Sequence, residues 1–284
     1  MLTLAATPLQ LRQLATLRLS AASALVCQGH SFWVLADDAL VLQRYSLSGD
    51  WQAELTLLPG ELPSDAKLRK RLKPDFEALM SLPADSLLAL GSGSTERRCR
   101  GCLVEAGNVR VIDLNPLYRA LAEHFQDLNI EGGVVYHEQV LLAQRGNGRG
   151  RENALVLLDL PQVLRDLKDG QLSAAALQQI VPLQLPELDG VQLSLTDLSV
   201  APSGALYFTA TAEATDSSYL DGACVGSVLG RQVSHRIGPG PCLVVGYAIC
   251  GVGWLLLAVA LTLVNRLLPR DWTARMTGLL MASH

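Results

Sequence analysis

Lys73-Pro74-Asp75-Phe76-Glu77-Ala78-Leu79-Met80-Ser81 leads through Leu82-Pro83-Ala84-Asp85-Ser86 into Leu87-Leu88-Ala89-Leu90-Gly91-Ser92-Gly93-Ser94. Glu77 opens one apolar run and residues 87–90 form a second. Between them lie the Pro, Asp and Ser of a chain reversal, so the stretch reads as an antiparallel strand pair ending in a Gly/Ser loop. The unit recurs. Glu131 precedes Gly132-Gly133-Val134-Val135, a turn at 137–139 and residues 140–143; Asp197 precedes Leu198-Ser199-Val200, a turn at 201–204 and residues 206–210.

The anchors of these copies are Ser23, Glu77, Glu131 and Asp197, with intervals of 54, 54 and 66 residues. The surplus in the last interval falls on 161–182, where Val163, Leu164 and Leu167, then 174–180, read as short helices. Ten positions after the anchors stand Trp33, Leu87, Leu141 and Tyr207, and fourteen after stand Asp37, Gly91, Arg145 and Thr211, where each second strand ends. Further strands are predicted at 39–45, 51–58, 102–105, 109–114 and 154–160. Four strands in each unit of about 54 residues is the repeat of a β-propeller blade. The sequence thus predicts an all-β fold, a single propeller domain over 1–284 with five blades, closed by an N-terminal strand at 16–19. Helical insertions are expected near 116–128, where Leu117, Leu121 and Phe125 share a face, and near 161–182.

The chain has 284 residues, with 23 basic against 27 acidic side chains and a net charge of −4. That balance argues against nucleic acid as a partner. The basic residues are nonetheless grouped: Lys67, Arg69, Lys70, Arg71 and Lys73 in one run, and Arg97, Arg98 and Arg100 after the Gly/Ser loop. Six cysteines in this length make no disulfide framework, and the N-terminus does not resemble a secretory signal, so a cytoplasmic monomer is expected. Cys99 and Cys102 have C-x-x-C spacing, open to a redox pair, half a zinc site, or two small residues in a strand or turn.

Residues 242–264 are apolar and uncharged over a length that could cross a bilayer as a helix. The repeat offers another reading. The next copy should begin near Cys250, and residues 240–284 would then be a degenerate last blade in which Cys250 replaces the carboxylate. A membrane partner is implied only if 242–264 is a span.

First strands line the channel of a propeller, so Glu77, Glu131 and Asp197 are predicted to face one another at one mouth. Like charges held together raise one another's pKa values, and burial adds to that. Counter-charge could come from Lys73 and Arg145, or from a divalent cation such as Ca²⁺ bound by these carboxylates and Asn129. Three functions follow: a mouth that binds a small anionic ligand through Lys73, Arg145 and the Ser92 and Ser94 loop, or binds a divalent cation; metal-assisted phosphoester or ester hydrolysis with Glu77, Glu131 and Asp197 as catalytic candidates; or ion pairs that only hold blades together. Ser92 lacks a sequence-adjacent histidine, and neither a P-loop nor a Gly-x-Ser-x-Gly elbow occurs.

The order of Lys73-Pro74-Asp75-x-Glu77-Ala78-Leu79, Gly91-Ser92-Gly93-Ser94, Asp113-Leu114-x-Pro116-Leu117-Tyr118, Leu128-Asn129-Ile130-Glu131-Gly132, Gln144-Arg145-Gly146-Asn147 and Ala212-Glu213-x-Thr215 resembles an uncharacterised bacterial propeller family. That family is distantly similar to phytase-like or esterase-like proteins. The resemblance implies a propeller over residues 20–230 and adds Asp75, Asn147 and Glu213 to the ligand-binding candidates. It implies no established reaction.

Overall fold

The computed structural model describes Gln13, residues 15–215, Ser217 and residues 222–232, together with the backbone of Val244–Ile249. Blade one is β1 (Ala22–Gln28), β2 (Ser31–Ala36), β3 (Val41–Ser46) and β4 (Trp51–Thr56); blade two is β5 (Phe76–Ser81), β6 (Leu87–Gly91), β7 (Arg100–Glu105) and β8 (Asn108–Asp113). Blade three is β9 (Ile130–Tyr136), β10 (Gln139–Gln144), β11 (Asn153–Asp159) and β12 (Leu177–Leu183). Blade four is β14 (Val191–Val200), β15 (Leu206–Ala214), β16 (Ala223–Gln232) and β17 (Val244–Ile249), with the two-residue β13 (Glu187–Leu188) paired to the start of β14. All pairings between these strands are antiparallel, and the inner strands pack in the order β1, β5, β9, β14.

The second strands explain why the chain stacks sheets rather than exposing them. Successive residues of a strand face opposite sides. In β6, Leu87 and Ala89 meet blade one in a core with Leu35, Leu42 and Phe76, while Leu88 and Leu90 meet blade three in a core with Ile130, Val140 and Leu142. In β10, Leu141 and Ala143 turn toward Leu193, Leu195 and Ala210 of blade four. A strand buried on both faces needs a continuous apolar run, and both runs are such stretches.

The blades described number four, not the expected five; the predicted fifth copy begins at Cys250, outside the described residues. Residues 16–19 form no strand. Leu17 and Leu19 instead cover the free face of blade one against Leu25, Phe32, Val34 and Tyr45, and the Arg18 N–H donates to the Tyr45 hydroxyl at 3.0 Å. The C-terminal apolar stretch supplies β17, which pairs with β16 from Ser227↔Ile249 to Gln232↔Val244. Six residues of the candidate membrane span are therefore in a sheet, and no helix among the described residues is long and apolar enough to cross a membrane.

Helices fill the connections. α1 (Ala66–Leu72) forms over the basic run, which the sequence suggests as a solvated loop. Its cap was legible: the Asp65 carboxylate accepts the Leu68 N–H at 2.7 Å. α2 (Asn115–Ala122) is shorter than the expected 116–128, although Phe125 and Leu128 beyond its end remain in the core between blades two and three. α3 (Leu160–Lys168), capped by Asp159, matches the first insertion. The second expected helix does not form. Residues 174–176 make one 3₁₀ turn and the chain then becomes β12, because blade three still lacks its outer strand and β11 offers a free edge.

Blades three and four approach closely at Gly132. A Cβ there would lie 2.7 Å from the Asp197 Cα and 3.0 Å from the Leu198 nitrogen, both backbone atoms that no rotamer change can move. Gly132→Ala is expected to force β9 and β14 apart at a cost of about 1–3 kcal/mol, read by denaturant titration. An unchanged midpoint would show that the two inner strands are not in register-locking contact.

Candidate functional site

The anchor residues are β-bulges. Ala22 and Ala24 pair with Ala36 and Leu35, leaving Ser23 unopposed, and the same break isolates Glu77 in β5 and Glu131 in β9. A bulge twists its strand locally and re-aims the extra side chain, so one recurrent irregularity points Ser23, Glu77 and Glu131 into the inner region. In β14 the extra residue is Thr196, while Asp197 pairs with Thr209. The sequence register placing Asp197 as the fourth copy is off by one. A second one-residue offset puts Ser92, not Gly91, at the place of Asp37 and Arg145 just past the second strand, since Gly91 still pairs with Phe76.

Two ion-paired groups form at this end of the blades. At the joint of blades one and two, the Lys73 ammonium bonds the Asp37 carboxylate and lies 2.8 Å from Asp75 Oδ1. Arg98 Nη1 reaches Asp75 Oδ2 at 2.7 Å and donates to Ser94 Oγ at 2.7 Å. Ser92 Oγ, fully buried, donates to Asp75 Oδ2 at 2.6 Å. Asp75 has φ 56°, a left-handed conformation uncommon for a residue with a side chain. It is held by its own N–H donating to the Asp37 carbonyl at 3.1 Å and its carbonyl accepting the Ser92 N–H at 3.0 Å.

At the joint of blades three and four, Arg145 is 5% exposed and bridges two carboxylates, Glu131 Oε2 at 3.1 Å and Glu213 Oε2 at 2.7 Å. Its Nε donates to Ser194 Oγ at 3.3 Å. The other Glu131 oxygen accepts from Asn129 Nδ2 at 2.8 Å, which also donates to Asn147 Oδ1 at 3.2 Å. Glu213 Oε1 accepts the Gly222 N–H at 2.6 Å. Asn153 completes the joint, with its amide donating to the Leu193 carbonyl and its oxygen accepting the Leu195 N–H.

The acids outnumber the bases. Burial is the largest influence on Glu77 and pushes its pKa well above the ordinary carboxylate value; Glu131, Asp75 and Asp37 add to this and Lys73 only partly opposes it. Glu131 is also raised by burial, with Arg145 pulling the other way. Asp197 is raised well above its usual value by burial, against the Leu198 N–H that its Oδ1 accepts at 2.7 Å. Burial raises Asp37 too, and its Oδ1 is buried with no hydrogen-bond partner among the described residues. Burial disfavours the charge on Lys73, but Asp75, Asp37 and Glu77 together outweigh it and the ammonium is held more firmly than usual.

All eleven residues singled out from the sequence lie in or beside these two groups. Glu77 differs from the rest in making no hydrogen bond or ion pair among the described residues, although it is only partly screened from solvent. Arg98 stood out in sequence only as one of the basic residues after the Gly/Ser loop, because nothing in sequence ties it to Asp75. Asp37 was visible only as a register position, although its opposite charge to Lys73 was a usable signal. His30 and His137 sit exposed in the β1–β2 and β9–β10 turns, and His124 lies exposed after α2. Burial raises the Cys102 thiol to about 12, and burial with Asp113 and Glu96 raises Cys99, so neither is poised as a thiolate.

Solved structures share a loose likeness with this chain. YCF48 bound to D1 peptide is 10% identical, with 75% of this chain and 50% of that one covered and a TM-score of 0.34. The WD40 β-propeller domain of Doa1 is 8% identical, covering 66% and 47%, with a TM-score of 0.35. The luciferin-regenerating enzyme is 13% identical, covering 70% and 57%, with a TM-score of 0.38. The chain thus spans about half the length of the structures it matches. No curated protein matches it, and the likeness to phytase-like or esterase-like propellers suggested by the motifs is not shown. Residues 18–237 match the family of unknown function DUF6929, and the chain belongs to that family.

Proposed function

We propose that this protein is a binding propeller without catalytic machinery, whose channel mouth takes a small cation, with Glu77 as the group that meets it. The observation that carries the reading is the Glu77 carboxyl, set against Glu131, Asp75 and Asp37 yet joined to no donor among the described residues. Oxygens of Asp37, Asp75 and Glu77 lie within 4.8 Å of one another, a spacing that suits a hard cation with oxygen ligands. Two of these acids already hold an ammonium, that of Lys73. An incoming divalent ion or amine competes with it or settles on the Glu77 side.

The anion reading loses ground for the same reason. Lys73 and Arg145 are each engaged by two carboxylates, so neither presents uncommitted charge. The hydrolase reading keeps one support, the raised pKa of Glu77 and Asp197, which a general acid requires. Ser92 does not serve as its nucleophile, being fully buried and spent on Asp75.

Thermal unfolding with Ca²⁺, Mg²⁺, Mn²⁺ or an alkylammonium, at ionic strength matched by NaCl, tests the proposal. Wild type is expected to gain stability saturably with at least one cation, by about 2.7 kcal/mol at a hundredfold excess over Kd. Glu77→Gln should lose that response and be more stable than wild type without cation. A carboxyl with a raised folded pKa supports the fold fully below its unfolded pKa and loses that support as pH rises through the folded value. The glutamine variant should therefore flatten the decline of stability toward alkaline pH. An identical cation response in wild type and Glu77→Gln, or no saturable response, refutes the proposal.

A further inference from the structure

Residues of α1 and of the 3₁₀ turn Glu96–Arg98 line an open recess of about 350 Å³. Its lining is Arg71, Thr95, Glu96, Arg97 and Arg98. Three arginines and one glutamate thus line a single recess. Arg98 is a fixed wall, 5% exposed and tied to Asp75 and Ser94. The Arg71 and Arg97 side chains are exposed and make no hydrogen bond or ion pair among the described residues. Lys67 and Lys70 stand on the same helix as Arg71, whereas Arg69 is committed to Asp38 at 3.2 Å.

We propose that this cavity is a binding site for a small phosphorylated molecule, with Arg71 and Arg97 taking the phosphate. Planar guanidinium groups suit phosphate oxygens through paired N–H donors. The volume lies at the lower end of the range for small-molecule sites, roughly 300–1,000 Å³, so it admits more than a bare phosphate. No aromatic side chain lines it, so nothing there stacks a nucleobase. Thr95 and Glu96 offer polar groups to hydroxyls. The chemistry therefore favours a sugar phosphate over a nucleotide.

Calorimetric titration at constant ionic strength with inorganic pyrophosphate, a hexose monophosphate and the unphosphorylated hexose tests the site. Saturable binding of the two phosphorylated probes, and none of the plain hexose, is expected. Arg71→Ala/Arg97→Ala should weaken both by about tenfold or more without lowering Tm, since neither side chain holds the fold together. Glu96→Gln should tighten them by removing a like charge from the lining. Lys67→Ala, on the same basic run but outside the cavity, should change affinity by less than about threefold. No saturable binding by wild type below ~10 mM, or an equal loss in Lys67→Ala, overturns the proposal. Glu77→Gln should leave phosphate binding intact, so failure here and failure of the cation reading at the channel mouth are separable outcomes.

Discussion

Arg145→Ala is expected to destabilise the folded protein by about 3–5 kcal/mol, the range for breaking a buried charge pair from one side. The residue is 5% exposed, and its removal leaves Glu131 and Glu213 buried without the cation that bridges them at 3.1 and 2.7 Å. Those contacts link the inner strand of blade three to the second strand of blade four, so the loss falls on the joint between blades. Denaturant titration near neutral pH measures it.

The deficit should shrink on acidification. Burial already raises the Glu131 pKa and Arg145 is the chief influence lowering it, so without Arg145 that pKa climbs further. A raised folded pKa gives stability that is present at low pH and lost as pH rises through it. The variant should accordingly fall behind wild type most steeply above the unfolded carboxylate range. Adding Glu131→Gln to the alanine variant should restore part of the loss, because an amide left by Arg145 costs less to bury than a carboxylate. A deficit below about 1 kcal/mol, the scale of exposed ion pairs, would show that water reaches this joint and screens it.

Asp75→Asn should cost about 3 kcal/mol for a related reason. Asp75 is the shared carboxylate of Lys73 and Arg98, and it also accepts from Ser92 Oγ. Asparagine tolerates the left-handed backbone that Asp75 adopts at φ 56°, so the substitution removes charge without disturbing the turn. Asp75→Ala should lose about 1–2 kcal/mol more, since alanine adds backbone strain to the lost charge. Equal losses in the two variants would place the whole effect on the charge. A neutral outcome for Asp75→Asn would mean that Asp37 and Ser94 hold the two cations unaided.

The blade repeat was readable because its signals are local. The runs at 87–90 and 140–143, buried on both faces, have to be apolar without interruption, and most of the turns between strands carry Pro, Gly, Asp or Ser, His137-Glu138 being an exception. Glu77 and Glu131 stood out because a carboxylate at the same place in two otherwise apolar strands demands a reason. What could not be read was where the extra residue falls in β14. Shifting the bulge from Asp197 to Thr196 changes no local preference, and only the pairing of Leu195 with Ala210 and Asp197 with Thr209 locates it. The segment 174–180 read as a helix on periodicity, yet 177–183 is a strand. The free edge of β11 decided for strand.

By itself the chain determined a β-rich repeat with acidic positions near the start of its inner strands, because hydrophobic period and turn chemistry act over a few residues. Tertiary structure decided how those acids are answered. Lys73 was four residues from Glu77, yet its ammonium went to Asp37 and Asp75; Arg145 was joined to Glu213 across sixty-eight positions; and Arg98 came to Asp75 across two strands and a loop. Ion pairing depends on distances in space that strand stacking sets and that sequence spacing does not encode. Glu77 was thereby left as the anchor without a partner among the described residues.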